Sequence, residues 1–138
     1  MSWDGRVRVF GDHVPLEDLP AKDLEALRAV RKQVSFEKGD VLMHENDPGR
    51  AAYLITQGTV SVKRGRRHLA DVGPGHLVGE MALLLDEPRN ATVTAKNQVR
   101  AYEISRPAFA RVLDKSPALW WLAAGVLARR LRAENLSY

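Results

Sequence analysis

Two periodicities divide the chain. From Leu16 to Arg31 apolar residues recur at helical spacing, with Leu24, Leu27 and Val30 on one stripe and Pro20 near the start, where proline is tolerated. From Gln33 to Ser105 the texture changes to short runs of β-branched and aromatic residues: Val34–Phe36, Val41–His44, Ala52–Thr56, Thr59–Lys63, Leu69–Val72, Ala91–Ala95 and Val99–Ile104. Gly39, Asn46-Asp47-Pro48-Gly49, Gly58, Gly65 and Gly73-Pro74-Gly75 separate them. Evenly spaced short strands with such punctuation predict an all-β sandwich or barrel. Val60-Ser61-Val62-Lys63 alternates cleanly, so this strand has one buried and one wet face. Met1 to Gly11 has mixed polarity and no clear period.

Helical spacing returns at Pro107, where Phe109, Val112 and Leu113 anchor a short segment ending at Leu113. Ser116-Pro117 then reads as an N-cap followed by the first helical position, and the last helix runs to about Glu134. Leu119, Leu122 and Val126 form one stripe of it; Trp120, Ala124, Leu127 and Leu131 form the next; Trp121, Gly125 and Ala128 form a third. The first half of this helix is therefore apolar nearly all round. One barrel face cannot bury all of that, which implies a second partner. No helix-turn-helix pattern follows it, so DNA binding by this chain alone is not expected.

The 138 residues make one domain, 1–138, with an N-terminal helical segment at about 16–31, a barrel at about 33–105 and C-terminal helices at about 107–134. Hydrophobic residues at 45% and charged residues at 28% are ordinary for a soluble protein. No apolar run is long enough to span a bilayer and no secretory signal opens the chain, so a cytoplasmic protein without a membrane partner is expected. With no cysteine there is neither a disulfide framework nor a thiolate metal site. The net charge of +4 reads as a solvated, arginine-rich surface. Arg64-Gly65-Arg66-Arg67 likewise reads as a solvated hairpin turn. His13, His44, His68 and His76 lack a His-x-His pair, and His76 with Glu80 is too thin a set for a metal. No nucleophile elbow, Walker loop or zinc-protease motif is present, so the expectation is a module without enzyme activity.

The densest chemistry lies in Gly79-Glu80-Met81-Ala82-Leu83-Leu84-Leu85-Asp86-Glu87-Pro88-Arg89-Asn90-Ala91-Thr92-Val93. A glycine and an acid open a short apolar helix. A loop closed by proline follows, then an arginine, then a strand. This order gathers a carboxylate, a guanidinium and backbone N–H groups around one small volume. It suits a ligand with hydroxyls at one end and a single anionic phosphate at the other.

The stretch resembles the phosphate-binding cassette of the cyclic nucleotide-binding domain family. That cassette runs Gly-Glu-(apolar)-Ala-Leu, a variable loop, then Arg-x-Ala-(Thr or Ser)-(Val or Ala). Gly79, Glu80, Met81, Ala82 and Leu83 match the first half, and Arg89, Ala91, Thr92 and Val93 the second, at the right separation. The likeness extends over roughly Leu16 to Arg132. It implies a mainly β fold, a β jelly-roll barrel with one N-terminal and two C-terminal helices. It implies a cyclic nucleotide, cAMP or cGMP, as ligand and no other cofactor.

The resemblance also implies roles. Glu80 accepts a hydrogen bond from the ribose 2′-hydroxyl. Arg89 donates to the phosphate with a geometry that lysine does not reproduce. Val78, Gly79, Met81, Ala82, Asn90 and Ala91 complete the ligand site, with Val78 and Leu69 as apolar wall. Asn90 departs from the family, which usually has Ala, Ser or Thr there, and this leaves cAMP against cGMP open. Arg129 and Arg130 fall where the last helix supplies a lid in some relatives; a wet helix end explains them equally well. Trp120 and Trp121 have three readings: capping a purine, forming a dimer interface, or packing on the barrel.

The expected function is a regulatory sensor whose C-terminal helix changes position on ligand binding. Its partners would be the nucleotide, an effector protein or domain, and a second copy through that helix. The alternatives are a ligand-independent interaction module of the same fold, or the sensor half of a transcription regulator whose DNA-binding part is absent.

Overall fold

The β-branched runs pair into two four-stranded antiparallel sheets. In the computed structural model, which describes residues 6–9, 12–14 and 19–132, a short hairpin comes first: β1 (Val7–Val9) with β2 (Asp12–Val14). The side chains of residues 9, 12–14, 126, 127 and 129–132 lie outside the description. One sheet then runs β3 (Lys32–Phe36), β10 (Val99–Ser105), β5 (Ala51–Gln57), β8 (Leu77–Val78). The other runs β4 (Val41–Met43), β9 (Thr92–Ala95), β6 (Val60–Arg64), β7 (Arg67–Val72). Neighbours far apart in sequence pair across each sheet, which is jelly-roll connectivity.

The core lies between the sheets. Val60, Val62, Val78, Val93, Val99 and Ile55 are fully buried there, with Met43, Ala91 and Ala101 beside them. On β6, Val60 and Val62 point inward while Lys63 is exposed, as the alternation predicts.

Among the described residues four helices flank the barrel: α1 (Ala21–Val30), α2 (Met81–Leu84), α3 (Arg106–Leu113) and α4 (Pro117–Arg132). The helix expected from Leu16 begins only at Ala21, with Pro20 as its N-cap. Proline disfavours helical backbone at the residue before it, so Leu19 stays outside the helix; residues 15–18 lie outside the description. Ser105 caps α3, accepting a hydrogen bond from the Ala108 N–H at 3.3 Å. Ser116 caps α4 in the same way through the Leu119 N–H at 3.0 Å and is itself buried.

Leu19, Val112, Leu113, Leu119 and Ala123 form a second apolar cluster, joined by Leu24 and Leu27 of α1 and Leu84 of α2. The helices are thus packed on one another as well as on the barrel: α2 contacts β5 and α3, and α3 contacts α1 and α4. Trp120 and Trp121 take no part, being 54% and 83% exposed. Neither is therefore a core residue among the described residues.

The hairpin of β1 and β2 and the two-residue strand β8 were not legible in the hydrophobic pattern. Such short strands carry too few residues to display a period.

Candidate functional site

The chain enters the site through β8, which pairs with β5 and buries Val78 completely. Gly79 then turns it with a φ of +76°, a conformation side chains resist. A Cβ at this position would lie 2.5 Å from Arg89 Nη1 and 3.3 Å from Met43 Sδ. The glycine is thus needed twice, for its backbone angle and for the room it leaves to a guanidinium.

Glu80 is the N-cap of α2 and only 2% exposed. Its Oε2 is buried and accepts no hydrogen bond among the described residues, while the residue as a whole is engaged in other contacts. Ala82 and Leu83 are buried, so α2 is fastened to the barrel by its second and third residues.

The loop after α2 returns through Pro88, which bridges to Pro48, and brings in Arg89. Both main-chain groups of Arg89 are held by the turn between β4 and β5. The Asn46 N–H donates to the Arg89 carbonyl at 2.8 Å, and the Arg89 N–H donates to the Asp47 carbonyl at 2.8 Å. Asn46 reaches this geometry at φ +72°, which asparagine tolerates better than most residues.

Arg89 as a whole is 9% exposed. Among the described residues it forms no ion pair, and its one hydrogen bond, to the Gly79 carbonyl, is long at 3.5 Å. Burial depresses its pKa, partly offset by the neighbouring Tyr53. An arginine nevertheless keeps its charge in a protein, so the site holds a buried cation that forms no ion pair with a carboxylate among the described residues. Tyr53 is itself pushed above its usual pKa, first by burial and then by Glu103.

A cavity of about 20 Å³ opens beside this guanidinium, lined by Met43, Gly79, Met81, Ala82, Glu87, Pro88, Arg89 and Asn90. It has room for roughly one water. Five residues singled out in the sequence meet here: Gly79, Met81, Ala82, Arg89 and Asn90. Glu80 is buried next to them in the chain, and Val78 and Ala91 are wholly buried in the barrel core. Leu69 packs against the same core and is partly buried. The candidate lid, Arg129 and Arg130, lies on the α4 backbone, but these side chains are outside the description.

Sequence reasoning missed Met43 and the Asn46-Asp47 grip on Arg89. The turn cluster Asn46-Asp47-Pro48-Gly49 marked the loop but not what it touches. A Cβ on Gly49 would meet Ala82 Cβ at 3.1 Å and Arg89 Cδ at 3.2 Å, so this loop is pressed against the cassette. Arg89 and Met43 also border a more open cleft of about 290 Å³ together with His44, Arg50 and Tyr53. Among the described residues no three His, Asp or Glu converge as metal ligands. His76 is half-buried, with its pKa lowered by burial and by Arg8.

A jelly-roll barrel that carries a buried arginine beside a small cavity, just after a short helix, is the arrangement of one class of ligand-binding domain. Residues 33–116 match the family model described as "Cyclic nucleotide-binding domain". The chain belongs to the cyclic nucleotide-binding domain family.

Among its relatives is a cAMP-dependent protein kinase regulatory subunit from Hypocrea atroviridis, 33% identical over 105 residues, which are 75% of this chain and 23% of the relative. Another is a CRP-like cAMP-activated global transcriptional regulator from Mycobacterium tuberculosis, 33% identical over 118 residues, 80% of this chain and 53% of the relative. The chain therefore spans about half, or less, of the curated relatives it matches.

Of solved structures, the N-terminal domain of a transcriptional regulator from Streptomyces coelicolor A3(2) has a TM-score of 0.75 and 34% identity, covering 86% of this chain and 89% of that one. The Thermus thermophilus catabolite activator protein has a TM-score of 0.77 and 28% identity, covering 86% and 58%. No helix among the described residues is long and apolar enough to cross a membrane.

Proposed function

We propose that this domain is a non-enzymatic sensor of a cyclic nucleotide, cAMP or cGMP. The observation that carries the reading is Arg89: a buried guanidinium without an ionic partner among the described residues, facing a cavity. A cyclic phosphate supplies the missing negative charge, and a guanidinium meets phosphate oxygens with matched geometry. Glu80 accepts from the ribose 2′-hydroxyl. Val78, Gly79, Met81, Ala82, Asn90 and Ala91 enclose the ligand around these two. The cAMP-linked names of the relatives from Hypocrea and Mycobacterium support the ligand class.

Binding has a mechanical consequence. The cassette cavity of about 20 Å³ is too small for a nucleotide, and the adjoining cleft of about 290 Å³ also borders Arg89; a nucleotide that reaches from the cleft into the cassette displaces α2 and the loop to Arg89. That loop is tied to α3: Asp86 pairs with Arg106 at 3.2 Å, and α2 packs on α3. The pair is exposed and weak by itself, but the packing is apolar and shares a cluster with α4. Movement of the cassette is therefore passed to α3 and α4. The ligand drives it only by its differential affinity for the two arrangements.

The test is a titration of cAMP and cGMP by calorimetry, with hydrogen exchange followed along α4. Saturable binding of either nucleotide with altered exchange in α4 is expected. Absence of binding to both overturns the sensor reading; binding with unchanged exchange overturns the coupling. A second expected result concerns the ribose. Glu80→Gln lowers cAMP affinity by about tenfold, the worth of a hydrogen bond to a charged acceptor. The variant also ceases to distinguish cAMP from its 2′-deoxy analogue. Unaltered discrimination in that competition assay would remove Glu80 from the ribose contact.

One observation favours a specific setting. The match to the Streptomyces domain covers 89% of a chain described as the N-terminal domain of a transcriptional regulator. We place this domain as the sensor part of such a regulator, with a second copy meeting the exposed Trp120 and Trp121 face of α4. Sedimentation of the wild type against Trp121→Glu decides the pairing; a monomer in both excludes it.

A further inference from the structure

We infer that Arg64 is a positioning residue for the ligand: from the tip of the β6–β7 hairpin it fixes the Asn90 end of the cassette, and through it the preference between purine cyclic nucleotides. This rests on the sensor reading above. The turn that holds Arg64 reads in the sequence as solvated, yet its first arginine is partly buried. Its Nε donates to the Asn90 carbonyl at 2.9 Å, across 26 residues of chain. Asn90 in turn lines the cassette cavity.

The surrounding bonds define what this contact controls. The Gly65 N–H donates to Glu45 Oε1 at 2.7 Å, and the Glu45 N–H donates to Thr92 Oγ1 at 3.0 Å. The hairpin tip, the end of β4 and the start of β9 are thereby sewn together. On the other side the Asn46-Asp47 turn holds the Arg89 N–H and carbonyl. Three main-chain groups of two neighbouring residues are thus restrained: the Arg89 N–H, the Arg89 carbonyl and the Asn90 carbonyl.

The first two restraints are backbone to backbone and use no side-chain donor or acceptor. The third depends on one side chain. In a trans peptide the carbonyl of one residue and the N–H of the next point in opposite directions, so fixing the Asn90 carbonyl also fixes the Ala91 N–H. A donor that carries charge makes this a stronger restraint than a neutral bond. Releasing it loosens the Asn90 main chain and with it the base from which the Asn90 amide projects, the polar group at the position where this cassette departs from its family.

The test compares wild type with Arg64→Ala, Arg64→Lys and, as a control on the same hairpin, Arg67→Ala. Calorimetry with cAMP and with cGMP gives the ratio of the two affinities. Amide ¹⁵N spectra report Asn90 and Ala91 directly. Arg64→Ala is expected to change the affinity ratio by about fivefold and to shift the Asn90 and Ala91 resonances. Arg64→Lys, which keeps one charged donor, is expected to restore most of the ratio, and Arg67→Ala to leave it unchanged.

A merely structural loss weakens both nucleotides alike and leaves the ratio where it was. An unchanged ratio in Arg64→Ala with wild-type Asn90 and Ala91 resonances overturns the inference while the sensor reading stands. Should Arg64→Ala fail to fold, the ratio in Arg64→Lys decides: a value indistinguishable from that of a second neutral variant, Arg64→Gln, overturns it. Wild-type protein that binds neither nucleotide removes the sensor reading and this inference with it.

Discussion

Arg89→Ala weakens cyclic nucleotide binding by about tenfold to more than a hundredfold, the range set by losing roughly 1.5–3 kcal/mol of hydrogen bonding to a charged group. The residue meets the conditions for the upper part of this range. It is buried, it lines the cassette cavity, and it has no carboxylate among the described residues to share its charge. Its main chain is already held by the Asn46-Asp47 turn. The backbone from which the side chain projects is therefore fixed. Arg89→Lys restores the charge but not the planar fork, so it recovers only part of the affinity. Calorimetry with cAMP and cGMP on the three proteins provides the check. Equal affinity in wild type and Arg89→Ala removes the phosphate contact from this residue.

Gly58→Ala lowers stability by about 3 kcal/mol or more, without touching the ligand site. Gly58 has a φ of +87°, where a side chain costs about 1–2 kcal/mol. A Cβ there would also collide with the Gln98 carbonyl and lie 2.8 Å from Asn97 Oδ1. Backbone cannot step aside as a flexible side chain does, so overpacking adds roughly 1–3 kcal/mol. Asn97 Oδ1 accepts from the Thr59 N–H at 2.9 Å, and that bond is disturbed as well. The turns before β6 and before β10 meet here, so the damage spreads to both sheets. Thermal unfolding should shift down by roughly 10 °C. A shift within error of wild type would mean that the two turns separate freely.

The barrel was legible because its strands are separated by residues with definite turn chemistry. Gly39, Gly58, Gly65 and Gly75 all adopt positive φ, and the strands fall between them. The start of α4 was legible from its capping chemistry: Ser116 is a true cap, as Ser-Pro predicted. Ser105, which caps α3, was hidden because it also ends a strand. The start of α1 was misjudged because the apolar spacing continues through Leu16 and Leu19, and periodicity alone does not register the restriction that Pro20 places on its predecessor.

Within the site, Gly79, Met81, Ala82, Arg89 and Asn90 share one short stretch, so spacing sufficed to bring them together. Met43 and the Asn46-Asp47 turn did not yield to it. They reach Arg89 from more than forty residues away in the chain, in part through main-chain hydrogen bonds, which any residue except proline at the donor can form. Arg64 escaped for a related reason, since its acceptor is a carbonyl with no residue signature.

The tryptophans of α4 give the domain an optical handle. The chain has three tryptophans, and two of them, Trp120 and Trp121, are exposed at successive positions of the helix that shares its apolar cluster with α2 and α3. An indole moved from water into an apolar contact emits at shorter wavelength. Any rearrangement or pairing that covers this face is therefore written into the intrinsic fluorescence of the unlabelled protein, and a spectrum recorded during titration reads the state of the helix directly.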